Sequence, residues 1–140
     1  MSWPSPRDLL PHQGPACVLD AVLSHDPAQT TCLATPRRGE GLDDGDGVSV
    51  LLTIELIAQA AAVHAALRNP GPQPRGGLLV AVQQAVFHLA ALPCATLRVQ
   101  VHQTHGGDGA LAAFTGAVHL DQTPVDQTPV ATAELRVARD

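Results

Sequence analysis

Tyrosine is absent from this sequence of 140 residues, and aromatic side chains are limited to Trp3, Phe87 and Phe114. Its core must therefore be filled by Ala, Val and Leu. Positive charge is also scarce: Lys and Arg number 8 against 13 Asp and Glu, a net charge of -5. That balance excludes the broadly basic surface that nucleic-acid binding needs. A local basic patch can still dock an acidic partner, and Arg37, Arg38, Arg68, Arg75 and Arg98 are its candidates; solvated surface is the simpler reading. Cysteine is limited to Cys17, Cys32 and Cys94, an odd number without ligand spacing, so free thiols in a reducing cytoplasm are expected. His102 and His105 are the closest His pair, a weak metal signal, and no metal or cofactor is expected. The opening M-S-W-P-S-P-R lacks an apolar run, so no signal peptide is expected.

What the chain does have is a long apolar stretch of good helix formers over residues 50–68. As a helix it would be about 28 Å long, close to the diameter of a small domain. Apolar residues fall on nearly every side of it, the pattern of a buried helix. Glu55, Gln59 and His64 interrupt it, which argues against a membrane span. At about 100° per residue, Glu55 and Gln59 lie roughly 40° apart, one turn above the other, and His64 faces the opposite way. A carboxylate in an apolar helix is costly unless it is paired, protonated or used. Glu55 is therefore the first candidate for chemistry.

In chain order, residues 1–15 form a Pro-rich arm with at most one helical turn. Residues 16–24 and 29–36 read as two strands of a hairpin around the turn H-D-P-A. Residues 37–49 are rich in Gly and acidic residues and read as a solvated loop without the ligand pattern of a calcium-binding EF-hand. The helix is expected to start at Ser49 as N-cap and to stop at R-N-P-G-P. After the linker 70–77 come strands at 78–89, 97–102, 110–121 and 130–138, with Leu97, Val99 and Val101 alternating cleanly against Arg98, Gln100 and His102. The tandem D-Q-T-P-V at 121–130 is a turn, too short for a repeat architecture. The whole chain, 1–140, is one α+β domain: a curved antiparallel sheet of about six strands around one helix. Its exposed edges imply pairing between subunits.

L-L-P-H-Q-G-P-A-C-V-L-D-A-V at 9–22 resembles the opening motif of hotdog-fold 3-hydroxyacyl-acyl carrier protein dehydratases. I-E-L-I-A-Q-A-A-A at 54–62 resembles their central-helix motif, and the stretch through Ala65 is similar to the small dehydratase-like proteins of aryl polyene clusters. The two motifs fall in the family's order, and the resemblance extends over nearly the whole chain. It implies the hotdog fold, an acyl thioester of acyl carrier protein or coenzyme A as substrate, and a site built between subunits. It also implies a homodimer or tetramer, or a heterodimer with a related dehydratase. Glu55 matches the helix acid and Gln59 the helix glutamine. The loop His that works with the acid has no counterpart: residues 38–50 contain none, and Gly41 stands about where it would fall.

Dehydration of a 3-hydroxyacyl thioester needs a base for the C2 proton and an acid for the leaving hydroxyl. Glu55 is the candidate acid or base, with a satisfied buried carboxylate as the structural alternative. His12 on the arm is a candidate replacement imidazole, with a turn-capping role as its alternative. Gln59 is expected to orient Glu55 or bind substrate, and His64 to pack outside the site. Three functions remain open: a dehydratase of fatty acid or polyene biosynthesis with a non-standard partner for Glu55, a non-catalytic hotdog subunit of an active dehydratase, and an acyl-thioesterase.

Overall fold

The computed structural model describes residues 2–11, 16–36, 48–69, 77–106, 111–122 and 128–139. The arm carries one turn of helix, α1 (Pro6–Leu9). Ser5 caps it by accepting the Arg7 N–H at 3.3 Å, and Pro6 brings a preset φ to its first position. Strands β1 (Ala21–His25) and β2 (Gln29–Ala34) follow, then a two-residue strand β3 (Val48–Ser49) and the long helix α2 (Leu52–Arg68). The second half contains β4 (Gly77–Phe87), the short β5 (Ala91–Leu92), β6 (Leu97–His105), β7 (Leu111–Leu120) and β8 (Ala131–Arg139). Six strands form one antiparallel sheet in the order β1-β2-β6-β7-β8-β4, and β3 pairs with β5 in a separate ladder. The expected plan of a hairpin, one long helix and a sheet of about six strands is the observed one.

Two boundaries and one additional ladder differ from expectation. The first strand begins at Ala21 rather than at residue 16, because the backbone at Ala16 and Val18 bonds to the Gln59 side chain instead of a strand neighbour. The helix begins at Leu52, and Ser49 is not its cap: it lies in β3, paired with Ala91. Its hydroxyl instead accepts the Leu51 N–H at 3.2 Å, while Val50 and Leu51 carbonyls take the N–H groups of Thr53 and Ile54. The two-residue ladder of β3 and β5 was not foreseen, since two residues are too few to show a period.

The sheet buries α2 through alternation. Leu97, Val99 and Val101 of β6 face the helix side and are fully buried, with Phe114 and Val118 of β7 and Ala133 and Leu135 of β8 beside them. The closest approach is at Gly116 of β7, where an added Cβ would stand 2.3 Å from Ile57 Cγ2. A glycine there lets the helix settle directly on the sheet. Along the helix, Leu52, Leu56, Ile57, Ala60, Ala61 and Val63 are buried, whereas Ile54, Glu55, Ala58 and Ala62 are only half-buried. These four form a stripe that the sheet does not cover.

His64 has packed into the core opposite that stripe, among Phe114 (ring centroids 5.8 Å) and His25 (5.1 Å), with Trp3 of the arm edge-on to His25. Its polar atoms are satisfied in one consistent direction. Gln103 donates to the His105 carbonyl, so its Oε1 accepts from His64 Nε2 at 3.1 Å. His64 Nδ1 then accepts the Thr30 hydroxyl proton at 2.8 Å, and that hydroxyl accepts from His25 Nδ1 at 2.7 Å. Burial pushes the His64 imidazole down to about 4 from 6.5, and the neighbouring His25 adds to the effect. Burial lowers His25 as well.

Two outcomes follow from this packing. Gly116→Val should lower the denaturation midpoint by an amount equivalent to about 1–3 kcal/mol, the usual result of overpacking, measured by urea titration. Because the folded state disfavours protonated His64, its contribution to stability is complete above about pH 6.5 and declines as pH falls toward 4. Urea midpoints measured from pH 7.5 to 4.5 should fall for the native protein and fall less for His64→Gln.

Candidate active site

Glu55 lies in the first turn of α2, on the uncovered stripe, and Gln59 lies one turn on at the edge of the buried face. Gln59 is 1% exposed, so its amide must be satisfied internally. Its Nε2 donates to Glu55 Oε1 at 2.7 Å and to the Ala16 carbonyl at 2.7 Å. Its Oε1 accepts the Val18 N–H at 2.9 Å. The structure thus brings Glu55 and Gln59 together, as the helical spacing expects. Both hydrogens of the Gln59 amide are engaged within the protein in this arrangement.

Residues 16–20 lie beside the site as irregular chain ahead of β1. Leu10 and Leu19 are fully buried, and Cys17 is buried with its thiol toward the Leu19 carbonyl at 3.7 Å. Asp20 closes the segment: its N–H bonds to Leu33 O, and its Oδ2 accepts from Thr35 N–H at 2.8 Å. The aspartate of the opening motif is therefore a hairpin tie, a role that sequence spacing did not reveal. His12 lies outside the described residues, as does most of the loop before the helix. His64 bonds to Thr30 and Gln103 on the other side of α2, away from Glu55.

Other candidates from the sequence resolve into structural roles. Arg68 donates to the Pro27 carbonyl at 2.9 Å and Arg98 to the Asp121 carbonyl at 3.0 Å. Arg37, Arg38 and Arg75 lie outside the described residues. Cys17, Cys32 and Cys94 are free thiols, and burial pushes Cys32 up to about 12, which leaves it unreactive. Among the described residues, no group of three or more His, Cys, Asp or Glu is placed to hold a metal, and no helix is long and apolar enough to cross a membrane. A groove of about 410 Å³ includes Gln29, Gln84, Gln100, His102, Thr115 and Glu134 in its lining. Strand alternation puts Gln100 and His102 on the sheet face turned away from α2, so this groove is separate from Glu55.

Strand β4 forms one edge of the six-stranded sheet. Leu79, Val82 and Val86 are 39%, 41% and 44% exposed, unusually bare for a strand so apolar. Its ladder with β8 shifts register twice, and Gln84 at the second shift has φ +52°.

Solved structures of similar shape share the fold at low sequence identity. One subunit of the dehydratase heterocomplex ApeI:P from Xenorhabdus doucetiae superposes with a TM-score of 0.85 at 18% identity, covering 99% of this chain and 92% of that one. Zebra fish thioesterase superfamily member 2 gives 0.67 at 14% identity, covering 96% and 91%. The E. coli PaaI protein of the phenylacetic acid degradation operon gives 0.62 at 17% identity, covering 85% and 78%. The shared architecture is the hotdog fold, a sheet wrapped on one long helix. No protein of curated function matches the chain. The family model for ApeP dehydratase, described as ApeP-like, matches residues 4–140. With that match spanning the sheet, the helix and the Glu55–Gln59 pair, this chain belongs to the ApeP-like dehydratase family.

Proposed function

We propose that this chain is a subunit of a dehydratase acting on 3-hydroxyacyl thioesters of acyl carrier protein or coenzyme A, in fatty acid or aryl polyene biosynthesis. In this reading Glu55 is its acid, and a second hotdog subunit brings the imidazole that residues 38–50 lack. The observation that carries the reading is Glu55 itself, fixed by Gln59 at 2.7 Å on the one stripe of α2 that the sheet leaves uncovered. The apolar edge β4 supports assembly, since pairing with a neighbouring subunit would cover it. The Xenorhabdus doucetiae relative is itself a heterocomplex, which favours an unlike partner over a second copy. In a homodimer neither loop 38–50 has an imidazole, and His12 would then be the source to test.

The chemistry is a β-elimination. The imidazole removes a proton from C2, and that C–H electron pair becomes the C2–C3 double bond. The C3–O bond breaks, and the oxygen leaves as water with the proton from Glu55. Transfer of the proton from imidazolium back to Glu55 restores both groups. The missing His equally fits a purely supporting subunit, whose signature would be a complex indifferent to Glu55.

The chain alone should dehydrate 3-hydroxyacyl thioesters weakly or not at all, since losing one member of an acid–base pair removes about 10²–10⁴-fold in rate. Mixing with a His-bearing hotdog homologue should restore formation of enoyl product, and Glu55→Gln in the mixture should abolish it while circular dichroism stays unchanged. Full turnover with Glu55→Gln would leave only the supporting role, and release of free acid instead of enoyl product would mark a thioesterase. His12→Ala tests the arm imidazole in the same assay. Val82→Glu on β4 should weaken subunit association, measured by light scattering at micromolar concentration; unchanged association would rule out β4 as the joining edge.

A further inference from the structure

We infer that Trp3 and His25 form an acid-released latch: Trp3 docks the leading residues of the arm on His25 near neutral pH, and a proton taken up by His25 frees them. Trp3 packs edge-on to the His25 ring, with centroids 5.6 Å apart and planes at 80°, and both residues are half-buried. Around Trp3, the residues Ser2, Pro4 and Ser5 are exposed, whereas Pro6 and Leu10 further on are buried. Trp3 is thus the contact that holds residues 2–5, and α1 stays anchored when it lets go.

The hydrogen-bond chain decides where the proton enters. His25 donates through Nδ1 to the Thr30 hydroxyl, and that hydroxyl donates to His64 Nδ1. The neutral His25 ring therefore keeps its lone pair on Nε2, which can take a proton without disturbing the chain. His64 has no such route: its Nδ1 accepts from Thr30, its Nε2 donates to Gln103, and the residue is fully buried. Among the described residues, the charged or titratable groups that bear on His25 are Asp26 beside it in the hairpin turn and His64 and Arg68 of α2. Strands β2, β6 and β7 bring the uncharged Thr30, Gln103 and Phe114 to this cluster. Burial outweighs the attraction of Asp26, and Arg68 adds to it, so His25 titrates below its ordinary 6.5. Trp3 supplies part of that burial. Whatever covers an imidazole opposes its charge, and by linkage the charge opposes the cover. Docking is therefore complete above about pH 6.5 and is lost as pH falls through the lower value of the docked ring.

Trp3 is the sole tryptophan and tyrosine is absent, so protein fluorescence reports this contact alone. From pH 7.5 to 5, emission of the native protein should shift to the red and become more open to iodide quenching, while far-UV circular dichroism stays constant. His25→Gln can still donate to Thr30 but takes up no proton, and its emission should not move over this range. Trp3→Ala should raise the titration midpoint of the His25 ring, followed by proton NMR and identified as the signal missing from His25→Gln. Emission that holds steady in the native protein, or shifts equally in His25→Gln, would overturn the latch. So would dimming without a red shift or added iodide access, the mark of a charged ring still in contact. A red shift that arrives only together with loss of circular dichroism would be unfolding, and equally fatal. An unmoved His25 midpoint in Trp3→Ala would show that Trp3 does not govern the ring, and the inference would fall with it. No thioester enters these measurements, so the latch stands or falls independently of the dehydratase reading.

Discussion

A helix that is apolar on nearly every side can be desolvated only if something covers each side, and one sheet covers one side. Much of this molecule answers that constraint on α2. The sheet takes the face with Leu56, Ile57, Ala60 and Val63, brought to contact by the missing side chain at Gly116. The N-terminal arm takes a second side, with Leu10 and Leu19 in the core. The remaining stripe of Ile54, Glu55, Ala58 and Ala62 is only half-buried within one chain. The Glu55 carboxylate sits on that stripe.

The polar residues of the helix divide according to these sides. His64 faces the sheet, and its ring is satisfied by Thr30 and Gln103. Gln59 faces the arm, and its amide is satisfied by arm backbone and by Glu55. Glu55 faces the opening. The wheel therefore separates a core imidazole from the acid by geometry alone, and the fold does not supply the acid's partner from α2. The proposed division of the catalytic pair between unlike subunits is the counterpart of that arrangement.

The large features were readable because they repeat. Alternation of Leu97, Val99 and Val101 announces β6, and the spacing of Glu55 and Gln59 announces a shared helix face. What was not readable depends on single contacts between distant segments. The early start assigned to the first strand failed because Gln59 captures Ala16 and Val18 from another element. Ser49 has the right chemistry for a cap, but pairing of Val48 and Ser49 with β5 draws it into a strand. The tie between Asp20 and Thr35 and the imidazole chain through Thr30 likewise join residues whose proximity no local pattern encodes.

The bulges of β4 carry a consequence for solubility as well as for pairing. An apolar edge strand 11 residues long is a template on which any extended chain can lay itself down. Stacking of that kind needs six or seven residues in unbroken register. The ladder of β4 breaks between Leu79 and Ala81 and again between Gln83 and Val86, and Gln84 turns the backbone through a left-handed conformation at the second break. Neither side of a break offers enough uninterrupted strand for an amyloid-like zipper to extend. The irregularity thus guards an exposed apolar edge against generic stacking, in the way bulges protect sheet edges elsewhere.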